Sequence, residues 1–250
     1  MTRPLIYAAN WKMHHGPAAA RSFLERFRQL TSPAEGRRLW FFPPAVSISA
    51  VGESSEVRDD ITVGAQNVHW EPKGAFTGEL SIPLVSEVGA RVVLVGHSER
   101  RHLFGETDEQ VGRKVAAVLK AGLTPLACVG ETLAEREAGR TEAVVIRQVD
   151  ALVERVPGVE WSRVVIAYEP VWAIGTGKTA TPDDAAQVHH LIRYELSRRG
   201  VTLRVPILYG GSVNTGNVLA LLAREELDGV LVGGASLDPD TWAELVGLGG

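Results

Sequence analysis

A single cysteine, Cys128, stands among 250 residues, so no disulfide can form within the chain. That scarcity fits a reducing compartment, and a cytoplasmic location is expected. No segment approaches the roughly 18 uncharged apolar residues that a membrane-spanning helix takes. Met1-Thr2-Arg3-Pro4 runs straight into a strand-like segment without the apolar centre of a secretory leader, so none is expected. An excess of positive charge is also missing. The formal net charge is −4, with 26 basic against 30 acidic residues, which predicts neither nucleic acid nor a membrane as partner. Among the seven histidines, His14-His15 and His189-His190 are adjacent pairs. No cysteine or carboxylate flanks them at ligand spacing, so no metal site is expected.

What the sequence does hold is a recurring unit: a short apolar run, a polar or glycine-bearing turn, then an amphipathic segment. With 45% hydrophobic and 22% charged residues, the chain has the composition of an ordinary globular protein. The predicted strands are Leu5–Ala9, Leu39–Phe42, Ile61–Ala65, Val92–Val95, Pro125–Val129, Val164–Ala167, Pro206–Leu208 and Gly229–Val232. Helices are predicted at Pro17–Leu30, Glu106–Lys120, Thr141–Arg155, Thr181–Arg199 and Val218–Ala223. Near-continuous apolar strands alternating with helices imply a parallel sheet buried under helices. Eight such units in about 250 residues are the repeat of a closed α/β barrel, a single (β/α)8 domain spanning residues 1–250 with no linker-like break. An open doubly wound sheet is the alternative.

The chemically useful residues gather just beyond the C-terminal ends of these strands. Asn10-Trp11-Lys12 follows the first, Gly96-His97-Ser98-Glu99-Arg100-Arg101 the fourth and Gly130-Glu131 the fifth. Tyr168-Glu169 follows the sixth, Tyr209-Gly210-Gly211-Ser212 the seventh and Gly233-Gly234 the last. That end is where barrels of this kind build active sites. Taken singly, Lys12 reads as a surface cation, His97 as a core histidine, Cys128 as a packed small residue and the glycine pairs as turns. Their convergence on one face is what makes them a site. The step from His97 into Ser98-Glu99 reads as a helix start, whose N-terminus disfavours an imidazolium. The last two glycine turns fall where barrels hold a phosphate on backbone N–H groups.

One connection is unusually long. Between Glu169 and the cap at Thr181 lie Pro170, Val171, Trp172, Ala173, Ile174, Gly175, Thr176, Gly177, Lys178, Thr179 and Ala180, about a dozen residues where two to six are usual. Thr181-Pro182-Asp183-Asp184 then reads as an N-cap, a first-position proline and first-turn acids. A long loop with glycines, beginning just after an acid, reads as a lid over a general base. Gly177-Lys178-Thr179 lacks the earlier glycine of a nucleotide-binding phosphate loop, Trp172 standing there instead. Gly175-Thr176-Gly177 lies too far from its strand for a dinucleotide fingerprint.

Along nearly its whole length the chain resembles the triosephosphate isomerase family. The strings that carry the likeness are ANWKM (9–13), GAQN (64–67), GAFTGE (74–79), GHSERR (96–101), CVGE (128–131), AYEPVWAIGTGKTA (167–180), YGGSVN (209–214) and VGGASL (232–237). The resemblance implies a (β/α)8 barrel that interconverts dihydroxyacetone phosphate and glyceraldehyde 3-phosphate, a step of glycolysis and gluconeogenesis, without a cofactor. It implies Glu169 as the base, a neutral His97 as the electrophile, Lys12 as the positive charge, Asn10 as an orienting amide and Glu99 as an acid beside the lysine. It further implies phosphate held by backbone N–H groups at Gly175, Ser212, Gly233 and Gly234, under a lid running from Pro170 to Ala180. A sister isomerase acting on a four-carbon ketose phosphate such as erythrulose phosphate needs the same groups and is the alternative. The family works as a homodimer in which one loop, here Thr77, Gly78 and Glu79, enters the neighbouring subunit. After Met13 this chain departs from the family's usual Asn and small residue by placing His14-His15-Gly16 where that loop is expected to dock. Protonation of His14 or His15 is therefore expected to loosen a dimer as pH falls toward 6, given histidine's ordinary value of about 6.5.

Overall fold

In the computed structural model, which describes residues 4–56, 58–174 and 179–249, the eight apolar runs are eight parallel strands. They are β1 (Leu5–Asn10), β2 (Arg37–Phe42), β3 (Ile61–Ala65), β4 (Val92–Val95), β5 (Thr124–Val129), β6 (Val165–Tyr168), β7 (Ile207–Tyr209) and β8 (Gly229–Val232). Each pairs with the next, and β1 also pairs with β8 through Ile6 beside Gly229 and Ala9 beside Val232, so the sheet closes into a barrel. The open sheet is thereby excluded.

The two-residue period of each strand divides its side chains between two cores. Ile6, Ala8, Trp40, Phe42, Leu94, Leu126, Cys128 and Leu208 pack inside the barrel. Tyr7, Ala9, Leu39, Phe41, Val93 and Val95 face the surrounding helices. Gly64 on β3 makes room for this filling: a Cβ there would lie 2.5 Å from the Phe42 ring.

The helices are α1 (Pro17–Leu30), α2 (Ile48–Ser55), α3 (Ile82–Glu87), α4 (Ser98–Leu103), α5 (Asp108–Lys120), α6 (Leu133–Glu137), α7 (Thr141–Val153), α8 (Pro182–Arg198), α9 (Val218–Leu222) and α10 (Pro239–Leu248). Among the described residues none is long and apolar enough to cross a membrane. α5 starts at Asp108 rather than Glu106, because Thr107 and Gln110 form a reciprocal capping box. β2 reaches back to Arg37, a residue too polar to be read as strand. Its guanidinium is buried, donating to Ser32 and Val246 carbonyls beside Asp60. α2, α3, α6 and α10 lie outside the predicted helices; α3 and α6 span only 6 and 5 residues, too short for a clear period.

Candidate active site

At the end of β6 the backbone N–H of Glu169 donates to Val129 O of β5 at 2.7 Å, tying this residue to its neighbouring strand. Pro170 follows and ends the extended run. The carboxylate turns into the barrel mouth and is 2% exposed. Its Oε2 accepts the Ser98 N–H at 2.8 Å, and its Oε1 lies 3.0 Å from His97 Nε2. Burial alone would push this carboxyl up; His97 and the Ser98 N–H more than offset it and hold Glu169 below the ordinary glutamate value. Cys128, inside the barrel beneath it, has its thiol pushed far up by burial and then by the Glu169 charge, so it is a packed thiol rather than a nucleophile.

His97 is the N-cap of α4, and its Nδ1 accepts the Glu99 N–H at 3.3 Å. Burial disfavours its imidazolium, while the adjacent Glu169 raises it, and the net direction is upward. With Nδ1 accepting that N–H, the neutral ring carries its proton on Nε2, facing Glu169, while Glu99 Oε2 stands 3.6 Å from Nδ1.

Lys12 has φ of 49°, a left-handed conformation that costs a non-glycine residue about 1–2 kcal/mol. Its backbone N–H donates to Asn10 Oδ1 at 3.0 Å, and its carbonyl accepts Gln66 Nε2 at 2.7 Å. These bonds fix the turn that brings Nζ to 2.7 Å from Glu99 Oε1. Asn10, buried at the end of β1, is thus a backbone organiser for Lys12. Gln66, within the GAQN string, was not singled out from sequence; nothing in a lone glutamine signals that it will clamp a strained turn.

Lys12, His97, Glu169, Ser212, Gly233 and Gly234 line one cavity of about 250 Å³. Two glycines of the turn after β7 leave no ordinary room for a side chain. A Cβ on Gly210 would lie 2.9 Å from Glu169 Cγ, and one on Gly211 would lie 2.2 Å from the Tyr209 hydroxyl. A Cβ on Gly233 would meet Lys12 Cε at 3.2 Å, so this turn and the lysine are immediate neighbours. The expected phosphate group at Gly175, and the expected lid positions Thr176, Gly177 and Lys178, lie outside the described residues.

The described ends of the 170–180 connection are firmly attached. Val171–Ala173 forms a single 3-10 turn, with Trp172 and Ala173 buried and Ile174 reaching the cavity. Trp172 Nε1 donates to Glu131 Oε1 at 2.9 Å, and Tyr168 donates its hydroxyl to the same carboxylate at 3.1 Å. Glu131 is wholly buried. The sequence marked it only as a strand-end acid; its partnership with Trp172, 41 residues away, left no local signal. Thr179 is exposed and Ala180 buried. Thr181 then caps α8 in a reciprocal capping box with Asp184, as its sequence predicts.

A second hollow of about 590 Å³ adjoins the first, sharing Asn10, Lys12 and His97 and extending to Glu99, His14, Gly78 and Glu79. Met13 (93% exposed), Leu103 and Phe104 stand at the surface here. Thr77, Gly78 and Glu79 lie in an exposed loop closed at its base by His69 N–H to Leu80 O at 2.7 Å and stiffened by His69 against Phe76, ring centroids 4.2 Å apart. The two histidines after Met13 differ. His14 is exposed, whereas His15, in the left-handed region at φ 63°, packs edge-on to Trp11 and bonds through Nε2 to Leu237 O at 3.0 Å.

Fold and site together define a barrel enzyme of the acid–base class: a buried carboxylate and an imidazole meet beside a lysine and paired glycine turns. The chain belongs to the triosephosphate isomerase family, whose model, described as "Triosephosphate isomerase", matches residues 5–248. It is 49% identical to a triosephosphate isomerase from Synechococcus sp. over 98% of this chain and 96% of that protein. It is 47% identical to the one from Solibacter usitatus, over 98% and 99% of the two chains, and 44% identical to the one from Aquifex aeolicus, over 96% and 98%.

Proposed function

We infer that this chain interconverts dihydroxyacetone phosphate and glyceraldehyde 3-phosphate through an enediolate. The observation that carries the reading is the buried Glu169 carboxylate 3.0 Å from His97 Nε2, in a cavity that also holds Lys12 and the Gly233-Gly234 turn. Glu169 takes the proton from the carbon next to the carbonyl; burial leaves it few competing waters. His97 offers its Nε2–H to the substrate oxygens, and Lys12 supplies positive charge for the oxyanion and the phosphate. Asn10 holds the Lys12 turn and Glu99 orients its ammonium. Backbone N–H groups at Ser212, Gly233, Gly234 and Gly175 bind the phosphate, and Pro170 to Ala180 is the lid whose grip turns remote binding energy into rate. The chemistry is complete without a cofactor, and the single buried thiol suits a cytoplasmic enzyme.

A coupled assay with glyceraldehyde 3-phosphate tests the reading, with a four-carbon ketose phosphate run beside it. Preference for the three-carbon substrate supports it; turnover of only the four-carbon compound would replace it.

The protein works as a homodimer in this reading, the Thr77–Glu79 loop of one copy entering the hollow beside Lys12 in the other. The exposed Met13, Leu103 and Phe104 on that hollow support it. Of the two histidines, His14 alone is free to meet a partner loop, so the pH sensitivity is assigned to it. Sedimentation at pH 8 and 5.5 tests both points: a weaker dimer at 5.5 supports them, and a monomer at both values refutes the dimer.

A further inference from the structure

The lid reading leaves one charged side chain without a task. Arg136 projects from α6, the short helix that follows β5, and it touches both ends of the 170–180 connection. Its guanidinium carbon sits 4.4 Å from the centre of the Trp172 ring, at the connection's start. Its Nη2 donates to Asp184 Oδ1 at 2.7 Å, in the first turn of the helix that begins where the connection ends. Its Nη1 lies 3.6 Å from Glu131 Oε1, the atom that accepts the Trp172 indole N–H.

α6 itself is pinned. Thr132 and Glu135 cap each other at its N-terminus, and Val171 N–H donates to Glu131 O at 3.1 Å, tying the connection to the segment that leads into α6. Asp184 has two duties: it accepts the Thr181 N–H at 3.1 Å as the helix cap, and it receives Arg136. Its carboxyl is held below the ordinary aspartate value first by Thr181 and then by Arg136. Lysine could not replace this arrangement, because only the planar guanidinium can stack on an indole while its edge serves two carboxylates.

We propose that Arg136 is a positioning residue for the isomerisation, a common anchor that fixes Trp172 and the Asp184 cap relative to each other and so sets the geometry of the lid's two attachments. The inference rests on the reading of residues 170–180 as a lid over Glu169. A lid held out of register would admit water and leave the enediolate exposed. The characteristic fault of an exposed enediolate is elimination: its electron pair moves to form a carbon–carbon double bond while the adjacent carbon–oxygen bond breaks, and inorganic phosphate departs with that bond's electrons.

The test compares wild-type protein with Arg136→Gln, Arg136→Lys and Asp184→Asn in isomerisation and in phosphate release. For Arg136→Gln the expected result is about a tenfold fall in kcat/KM, the scale of one lost cation–π contact with its partly screened ion pair. The phosphate released per isomerisation should rise several-fold. Arg136→Lys should recover little of either, and Asp184→Asn, which keeps a cap oxygen, should give an intermediate phosphate fraction. A purely structural role would lower the melting temperature and leave the phosphate fraction unchanged at a temperature where all four proteins are folded; that result overturns the inference. Full recovery by lysine would overturn it as well. Wild-type protein that does not isomerise the triose phosphate at all would defeat the lid reading instead, so the two failures are separable.

Discussion

Gly210→Ala perturbs the proposed base without touching its chemistry. Gly210 is outside the left-handed region, so alanine can adopt its backbone, and the whole effect comes from one methyl group. That methyl would sit 2.9 Å from Glu169 Cγ, 3.3 Å from Tyr168 O and an ordinary 3.7 Å from Leu231 Cδ2. Tyr168 O cannot yield easily, because it already accepts the Gly210 N–H at 2.7 Å across the β6–β7 seam. The relief must come from Glu169, whose side chain has to shift by about 0.5–1 Å to restore ordinary van der Waals contact. A misplacement of about 1 Å at a reacting group costs on the order of a hundredfold in rate. Overpacking of this kind costs about 1–3 kcal/mol of stability. Steady-state kinetics should therefore show kcat down by about 30- to 100-fold, with KM changed far less, because the neighbouring phosphate turn at Gly233-Gly234 is untouched. Thermal unfolding should show a folded, modestly weakened protein. A folded variant with kcat within twofold of wild type would refute the claim that Glu169 must stand where it does.

Two further outcomes follow from other contacts. Lys12→Met should lower kcat/KM by about 10²–10³-fold, the scale of a lost oxyanion donor, and the loss should shrink with glyceraldehyde, which lacks the phosphate. His189, fully buried with Nδ1 on Glu226 O, is held near a pKa of about 3 by burial. Its folded value lies below its unfolded one, so the unfolded chain binds more protons between those values and stability falls as pH drops from about 6.5 toward 3. This one residue should remove about 2 kcal/mol between pH 7 and pH 5, and His189→Gln should flatten that arm of a urea-unfolding profile; equal slopes would contradict it.

The barrel was readable because its strands are buried on both faces and so stay apolar without interruption, from Val92–Val95 to Gly229–Val232. α1 matched residue for residue, with Pro17 at its start and an amphipathic run to Leu30. What escaped was decided by distant partners. β2 includes Arg37 only because Asp60 and two carbonyls receive it, and no local pattern announces such a rescue. At the site, Lys12, His97 and Glu169 stood out as reactive types at strand ends, and they share one cavity. Glu131, Gln66 and Arg136 were harder. Their roles lie in holding other residues, through contacts 41, 54 and 48 positions apart respectively, which one-dimensional spacing does not carry.

The most direct test of the account is wild-type isomerisation of glyceraldehyde 3-phosphate beside Glu169→Asp. Aspartate keeps the carboxylate but withdraws it by about one carbon–carbon bond from the place where the proton is taken. The account predicts brisk wild-type turnover and a fall in kcat of about a hundredfold or more in the variant, with KM changed only a few-fold. A folded variant that keeps its kcat would contradict it, and the base would have to be sought elsewhere in the barrel mouth.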